Sequence, residues 1–148
     1  QKLGKYYMSG RLNASPDGSC MMVVATDAPM GSRNLERLAQ RAMLGLARTG
    51  GISSNGSGDY VISFSSNKRV RAAHGSSKDT RKMEVMRNDA MSPFFMAAIE
   101  ATEEAILNSL FVAHSVSGRD AHTINELPEE RVLEILQQHG IESSDPQK

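Results

Sequence analysis

Six apolar residues, Cys20-Met21-Met22-Val23-Val24-Ala25, stand between Gly18-Ser19 and the turn-forming Thr26-Asp27-Ala28-Pro29. The run is too short for a typical helix, contains Val-Val, and is bounded by Gly and Pro. Those features predict a strand buried on both faces. The junction before it is open to two readings. In one, Gly18-Ser19 is a plain turn, with Gly free to adopt positive φ and Ser bonded to nearby backbone. In the other, the peptide bond between them is cut and Ser19 acquires a free α-amine beside its own hydroxyl. An α-amine titrates near pH ~8, so it can act as general base for that hydroxyl. Nucleophile and base then belong to one residue, as in the variant of the triad that uses an N-terminal threonine.

A chain of 148 residues is long enough for one domain with a real core. Its 17 basic and 17 acidic residues cancel, which gives no overall pull toward nucleic acid or an anionic membrane. The cluster Lys68-Arg69-Val70-Arg71 is expected to be a solvated loop after a strand. Nine Met and many Ala point to a core of flexible and small side chains. The lone Cys20 cannot form an internal disulfide and is expected to be a small buried hydrophobe. A chain not stapled by disulfides fits a reducing compartment, so a cytoplasmic location is expected. No stretch approaches the ~18 apolar residues of a membrane span. The chain opens on Gln1 rather than Met, as expected of a fragment, a processed product or a trimmed piece; any targeting signal would lie upstream.

Along the chain, Tyr6-Tyr7-Met8 suggests a short strand, and Asn13-Ala14-Ser15-Pro16-Asp17-Gly18 reads as a loop. After the Cys20–Ala25 strand, a helix capped by Ser32 is expected. Leu35, Leu38, Ala39, Ala42, Met43 and Leu46 form its apolar face, and Gly50-Gly51 ends it. The small Ala42 and Gly45 predict a close approach to a sheet. Tyr60–Ser65 reads as a second strand, and Met83, Val85 and Met86 as a further one. Ser92-Pro93 starts a helix running to about Val116, with Phe95, Ile99, Thr102, Ile106, Leu110 and Ala113 on one face. A last helix begins at Leu127-Pro128-Glu129-Glu130 and ends near His139-Gly140, its acidic first turn suited to the helix dipole. The tail from Glu142 is expected to be loose. Together these elements form an α+β layered arrangement.

Two polar clusters stand at the starts of the two best strands: Gly18-Ser19, and Asn55-Gly56-Ser57-Gly58-Asp59. If the strands are neighbours, Ser57 and Asp59 approach Ser19. A hydroxyl and a carboxylate there would orient an N-terminal serine and stabilise its ammonium form. The second cluster also reads as a flexible turn. A phosphate cradle is disfavoured because the loop feeds a strand rather than a helix. His74, His114, His122 and His139 lack metal-binding spacing and read as surface or packing residues. Thr26 and Asp27 read as turn formers before Pro29.

The segment Gly18–Pro29 closely resembles the self-cleavage site of the DmpA-type aminopeptidases, the family of L-aminopeptidase/D-esterases and β-peptidyl aminopeptidases. The likeness continues through Leu35-Glu36-Arg37-Leu38-Ala39, Leu44–Gly50, Asn55–Asp59, Ser63-Phe64-Ser65 and Ala101–Asn108. It weakens between residues 67 and 90 and in the tail. Collinear blocks are more specific than any single motif.

The resemblance implies a precursor that cleaves itself at Gly-Ser into a larger α chain and a smaller β chain. Here the cleavage site would be Gly18 and Ser19. Residues 1–18 would end the α region. Residues 19–148 would be the β region, a single domain completed by the absent α region. Ser19 would be the nucleophile, assisted by Ser57 and Asp59. The implied fold is part of a four-layer αββα sandwich, as in N-terminal-nucleophile hydrolases but with different strand connections. The α–β pairs would associate further, commonly as tetramers. No metal or other cofactor is implied. Substrates would be short peptides, amides or esters with a free amino terminus. Two departures stand out. Only 18 residues remain of the α region, which in relatives carries the asparagine that stabilises the oxyanion. Cys20-Met21-Met22 also replaces the aliphatic residues common after the nucleophile, a conservative change for packing. Two rival readings stay open: acyl transfer of the ornithine-acetyltransferase type, whose nucleophile is expected to be threonine, and a non-catalytic fragment or pseudoenzyme of this fold.

Overall fold

The apolar run is a strand, β1 (Met21–Thr26), and the second expected strand is β2 (Tyr60–Ser65). They pair in parallel, Met21 opposite Tyr60 and Thr26 opposite Ser65. This computed structural model describes residues 18–72, 74–75 and 79–141, and among them β1 and β2 form a two-stranded sheet. The expected strand at Tyr6-Tyr7-Met8, the loop before Gly18 and the tail from Glu142 lie outside the described residues. Parallel neighbours need a crossover, and here it carries a helix, α1 (Ser32–Arg48).

Gly31, not Ser32, caps α1. Its carbonyl accepts from the N–H groups of Asn34 and Leu35, and Ser32 is already helical, one position too late to cap. The helix ends where Gly50-Gly51 predicted. Gly50 takes φ 101°, its N–H donates to the Ala47 carbonyl, and Gly51 N–H donates to the Leu46 carbonyl. That crossed pair satisfies carbonyls the last turn leaves orphaned, and it requires a residue tolerant of positive φ at position 50.

Leu38 and Ala42 on the apolar face are buried, and Leu35, Ala39, Met43 and Leu46 are half-buried. Helix α1 lies against β1 and β2 as expected, and Gly45, buried too, faces a second helix. Its partner is α2 (Ser92–Val112). A Cβ at position 45 would stand 2.6 Å from the Ile99 carbonyl oxygen and 2.7 Å from Thr102 Cβ. Thr102 is buried there with its hydroxyl donating to the Ala98 carbonyl at 2.7 Å. Beside this crossing, Arg48 and Glu103 form an ion pair at 3.0 Å.

The core lies on one face of the sheet. Val24 packs against Ala28, Met30, Leu38, Met91 and Ala98, joined by Leu35, Met86, Phe94 and Phe95. Met30 and Met91 are its largest fully buried side chains, consistent with a core filled by flexible thioethers. The serines of β2 are satisfied: Ser63 Oγ donates to the Leu35 carbonyl and Ser65 Oγ to the Ala28 carbonyl, each at 2.6 Å. The opposite face carries Met21, Val23, Tyr60, Ile62 and Phe64, all exposed, with Met21 at 68% and Tyr60 at 65%. Burial on both faces is therefore not met among the described residues. The described residues cover one face of β1 and leave an apolar face open, the kind of surface that marks a contact region.

Met83, Val85 and Met86 do not form the further strand expected of them. The segment is tied to Pro29 by one backbone bond, Met86 N–H to the Pro29 carbonyl at 2.7 Å. Pro29 has no N–H to return, so a ladder cannot extend there. The side chain of Asn34 also donates to the Met86 carbonyl. Residues 68, 69 and 71 are exposed, as expected of a solvated loop. Helix α2 starts at Ser92, where Ser92-Pro93 predicted, and the Met91 carbonyl before it accepts from Phe95 N–H. The helix stops at Val112, short of Val116, and Leu110 is exposed rather than on a buried face.

The chain divides into two compact units, Gln1–Ile106 and Leu107–Lys148. Taken by itself, the second holds the end of α2, the strands β3 (Val116–Ser117) and β4 (Thr123–Ile124), and α3 (Glu129–Gln138). β3 and β4 form an antiparallel hairpin too short to leave a periodic signal in sequence. Reciprocal bonds close it: Ser115 N–H donates to Glu126 Oε2, and Glu126 N–H to Ser115 Oγ. Glu129 and Glu130 occupy the first turn of α3, which ends at His139-Gly140 as expected.

The helix crossing generates a stability prediction. Gly45→Ala forces a methyl into backbone and should cost about 1–3 kcal/mol by urea unfolding. Leu44→Ala, on the exposed side next door, should change stability by less than about 0.5 kcal/mol.

Candidate active site

Parallel pairing brings the starts of β1 and β2 to the same end of the sheet. The strands are offset by 39 residues, and that offset continues past them into the polar clusters. Tyr60 N–H donates to the Cys20 carbonyl at 3.0 Å. One step earlier, Cys20 N–H donates to Asp59 Oδ1 at 2.9 Å. The next step back pairs Gly58 N–H with Ser19 Oγ at 3.0 Å. The last sets Ser57 Oγ 2.6 Å from the Gly18 carbonyl oxygen. Along this path a backbone ladder turns into contacts that engage the hydroxyls of Ser19 and Ser57 and the carboxylate of Asp59.

The loop before β2 is shaped to deliver these groups. Ser57 N–H donates to the Ser54 carbonyl at 2.9 Å, closing a turn over Asn55 and Gly56, and Ser53 takes φ 49°. The turn reading of Asn-Gly-Ser-Gly is thus part of the site rather than an alternative to it. Both oxygens of Asp59 are engaged: Oδ1 by Cys20 N–H, and Oδ2 by the Ser57 hydroxyl at 2.8 Å. Ser57 therefore sits between two acceptors, Asp59 Oδ2 and the Gly18 carbonyl, with one proton to donate. Ser57 and Asp59 are half-buried, whereas Gly18 and Ser19 are exposed.

All the residues singled out from sequence, Gly18, Ser19, Ser57 and Asp59, thus lie in one bonded cluster. Two contributions were not foreseen, the N–H groups of Gly58 and Cys20. They are main-chain groups, so residue type carries no signal for them; only the strand register reveals them. Cys20 is a free thiol, half-buried rather than enclosed. Thr26 and Asp27 lie at the other end of β1 and do form the turn expected of them: Ala28 N–H donates to Thr26 Oγ1, and the Asn67 amide donates to the Asp27 carbonyl. The four histidines are exposed. Among the described residues no group of three or more His, Cys, Asp or Glu could hold a metal ion, and no helix is long and apolar enough to cross a membrane.

Chemically, the cluster joins a hydroxyl, a carbonyl beside it in the chain, and a second hydroxyl aimed at that carbonyl. A donor on a carbonyl oxygen stabilises the negative charge that builds there when the carbon is attacked. A carboxylate bonded to the second hydroxyl fixes its orientation.

Comparison with known proteins adds an independent line. The model of peptidase family S58 matches residues 2–124. The β-peptidyl aminopeptidase BapA of Sphingosinicella microcystinivorans is 42% identical over 127 residues, covering 85% of this chain and 31% of that protein. Among solved structures, the PH0078 protein of Pyrococcus horikoshii OT3 superposes with a TM-score of 0.72 at 39% identity, over 91% of this chain and 36% of that one. The L-aminopeptidase D-Ala-esterase/amidase of Ochrobactrum anthropi, described as a variant of the Ntn-hydrolase fold, gives a TM-score of 0.73 at 29% identity, over 89% and 37%. This chain therefore spans about a third of the length of the proteins it matches. Its strands and helices correspond to part of the αββα sandwich of such proteins. With a family match over most of its length and a relative of this identity, the chain belongs to peptidase family S58, the DmpA-type serine aminopeptidases.

Proposed function

We propose that this chain is the nucleophile-bearing part of a self-cleaving serine aminopeptidase. Residues 1–18 end the upstream α region, and residues 19–148 form the β region. The observation that carries the reading is the Ser57 hydroxyl 2.6 Å from the carbonyl oxygen of Gly18, the residue before Ser19. That carbonyl is the one Ser19 Oγ would attack in maturation. The Ser19 Oγ–carbon bond forms, the Gly18–Ser19 C–N bond breaks, and the hydroxyl proton ends on the departing nitrogen. Water then hydrolyses the resulting ester, leaving a carboxylate on Gly18 and a free α-amine on Ser19.

The same groups serve the second reaction. Ser19 Oγ attacks the scissile carbonyl of a substrate while its α-amine takes the proton and passes it to the leaving amine. Water resolves the acyl-serine and releases the N-terminal amino acid. Ser57 bridges by hydrogen bond and Asp59 holds the network. Substrates are short peptides, amides or esters with a free amino terminus. The relatives support that class: one is named a β-peptidyl aminopeptidase and another an L-aminopeptidase and D-Ala-esterase/amidase. The partner is the α region of the same precursor, and α–β pairs assemble further. The exposed face of Met21, Val23, Tyr60, Ile62 and Phe64 suits that partner because it is apolar and adjoins the site.

Ser19→Ala in the full-length precursor should leave one uncut chain by intact-mass spectrometry and no hydrolysis of an aminoacyl p-nitroanilide; a cut, active Ser19→Ala protein removes this mechanism. Acetyl transfer without aminopeptidase turnover would favour the ornithine-acetyltransferase reading. Ser57→Ala should slow both self-cleavage and turnover by about 10²–10³. Asp59→Asn keeps an acceptor for Cys20 N–H but changes the partner of Ser57, and should lower turnover with little change in the thermal unfolding midpoint.

A further inference from the structure

We infer that Gly58 is a positioning residue for Ser19: its N–H holds the hydroxyl, and its missing side chain leaves the space that hydroxyl occupies. The inference rests on the reading of Ser19 as nucleophile.

Two independent features of the same residue lead there. The first is the hydrogen bond from Gly58 N–H to Ser19 Oγ at 3.0 Å. Ser19 is exposed and precedes β1, so neither burial nor the strand ladder locks its side chain. Among the described residues, Gly58 N–H is the group that bonds its hydroxyl. In that bond the oxygen is the acceptor, so the hydroxyl proton stays free to leave toward a base. A donor on Oγ also stabilises the negative charge that grows there as the proton departs.

The second feature is space. A Cβ at position 58 would stand 3.3 Å from Ser19 Oγ and 3.5 Å from Tyr60 Cε2. The contact with Tyr60 is ordinary van der Waals distance. The contact with the hydroxyl is tight, and the hydroxyl must give by a few tenths of an ångström. Gly58 does not have positive φ, so alanine fits the backbone and would keep the N–H. Glycine at 58 therefore serves the neighbouring hydroxyl rather than the loop.

The test compares full-length precursors: wild type, Gly58→Ala, Gly58→Val, Ser19→Ala, and the Ser19→Ala/Gly58→Ala double variant. Self-cleavage is followed by intact-mass spectrometry and turnover with an aminoacyl p-nitroanilide. Small displacements of a reacting atom cost rate steeply, so Gly58→Ala should cleave itself about tenfold more slowly and Gly58→Val about a hundredfold. In the matured Gly58→Ala enzyme, kcat should fall by a similar factor while KM stays within about twofold, because the contact that changes is the one with the nucleophile. The double variant should unfold at the same temperature as Ser19→Ala, since removing Oγ removes the tight contact. Wild-type cleavage and kcat in Gly58→Ala would overturn the proposal. So would a Gly58→Ala chain that fails to fold, or a double variant less stable than Ser19→Ala, because glycine would then serve the loop. A cut and active Ser19→Ala protein would instead overturn the underlying reading of Ser19, which keeps the two failures apart.

Discussion

The register between two short parallel strands is the constraint everything else depends on. Met21 opposite Tyr60 sets an offset of 39 residues, and the same offset pairs Cys20 with Asp59, Ser19 with Gly58 and Gly18 with Ser57. In a strand the side-chain period is two, so a one-residue slip moves every side chain to the other face of the sheet. Here it would also detach each site residue from its partner. The core that anchors Val24 against Met30, Leu38 and Met91 thus also protects the site geometry, although no residue of that core cluster belongs to the site.

The sheet is asymmetric. Its inner face is closed by α1 and the first part of α2, and even its serines are bonded to carbonyls of Leu35 and Ala28. Its outer face is apolar and open. The continuous apolar run of β1 reads as a strand with two covered faces, yet the described residues cover one. In proteins about three times as long with the same fold, further chain is available to cover such a face. The sequence pattern of β1 is thus more apolar than burial among the described residues requires.

Much of the organisation was legible from local signals. β2 and the last helix appear where alternation and an acidic first turn predicted them, and Gly50-Gly51 ends α1 through paired backbone bonds. The misses share a cause. Gly31 rather than Ser32 caps α1, and the close approach of Gly45 to α2 was not foreseen, because each outcome depends on a backbone position or a neighbour that composition does not encode. Met83, Val85 and Met86 looked like a strand, but beside Pro29 they find an acceptor and no donor. The hairpin of β3 and β4 is too short for any period to register.

For the candidate site, the sequence by itself determined which groups are available: a hydroxyl after glycine at 18–19, and a hydroxyl and carboxylate two residues apart at 57 and 59. It determined their family as well, because collinear blocks of residue types survive without coordinates. It did not determine that they meet. Two strands of this length can pair in either direction, and antiparallel pairing would carry the two clusters to opposite ends of the sheet. Tertiary structure chose the parallel arrangement, since the helix between the strands returns the chain to the end from which it started. The main-chain donors of Gly58 and Cys20 belong to that choice too: every residue except proline carries the same N–H, so only its position in space gives it a role.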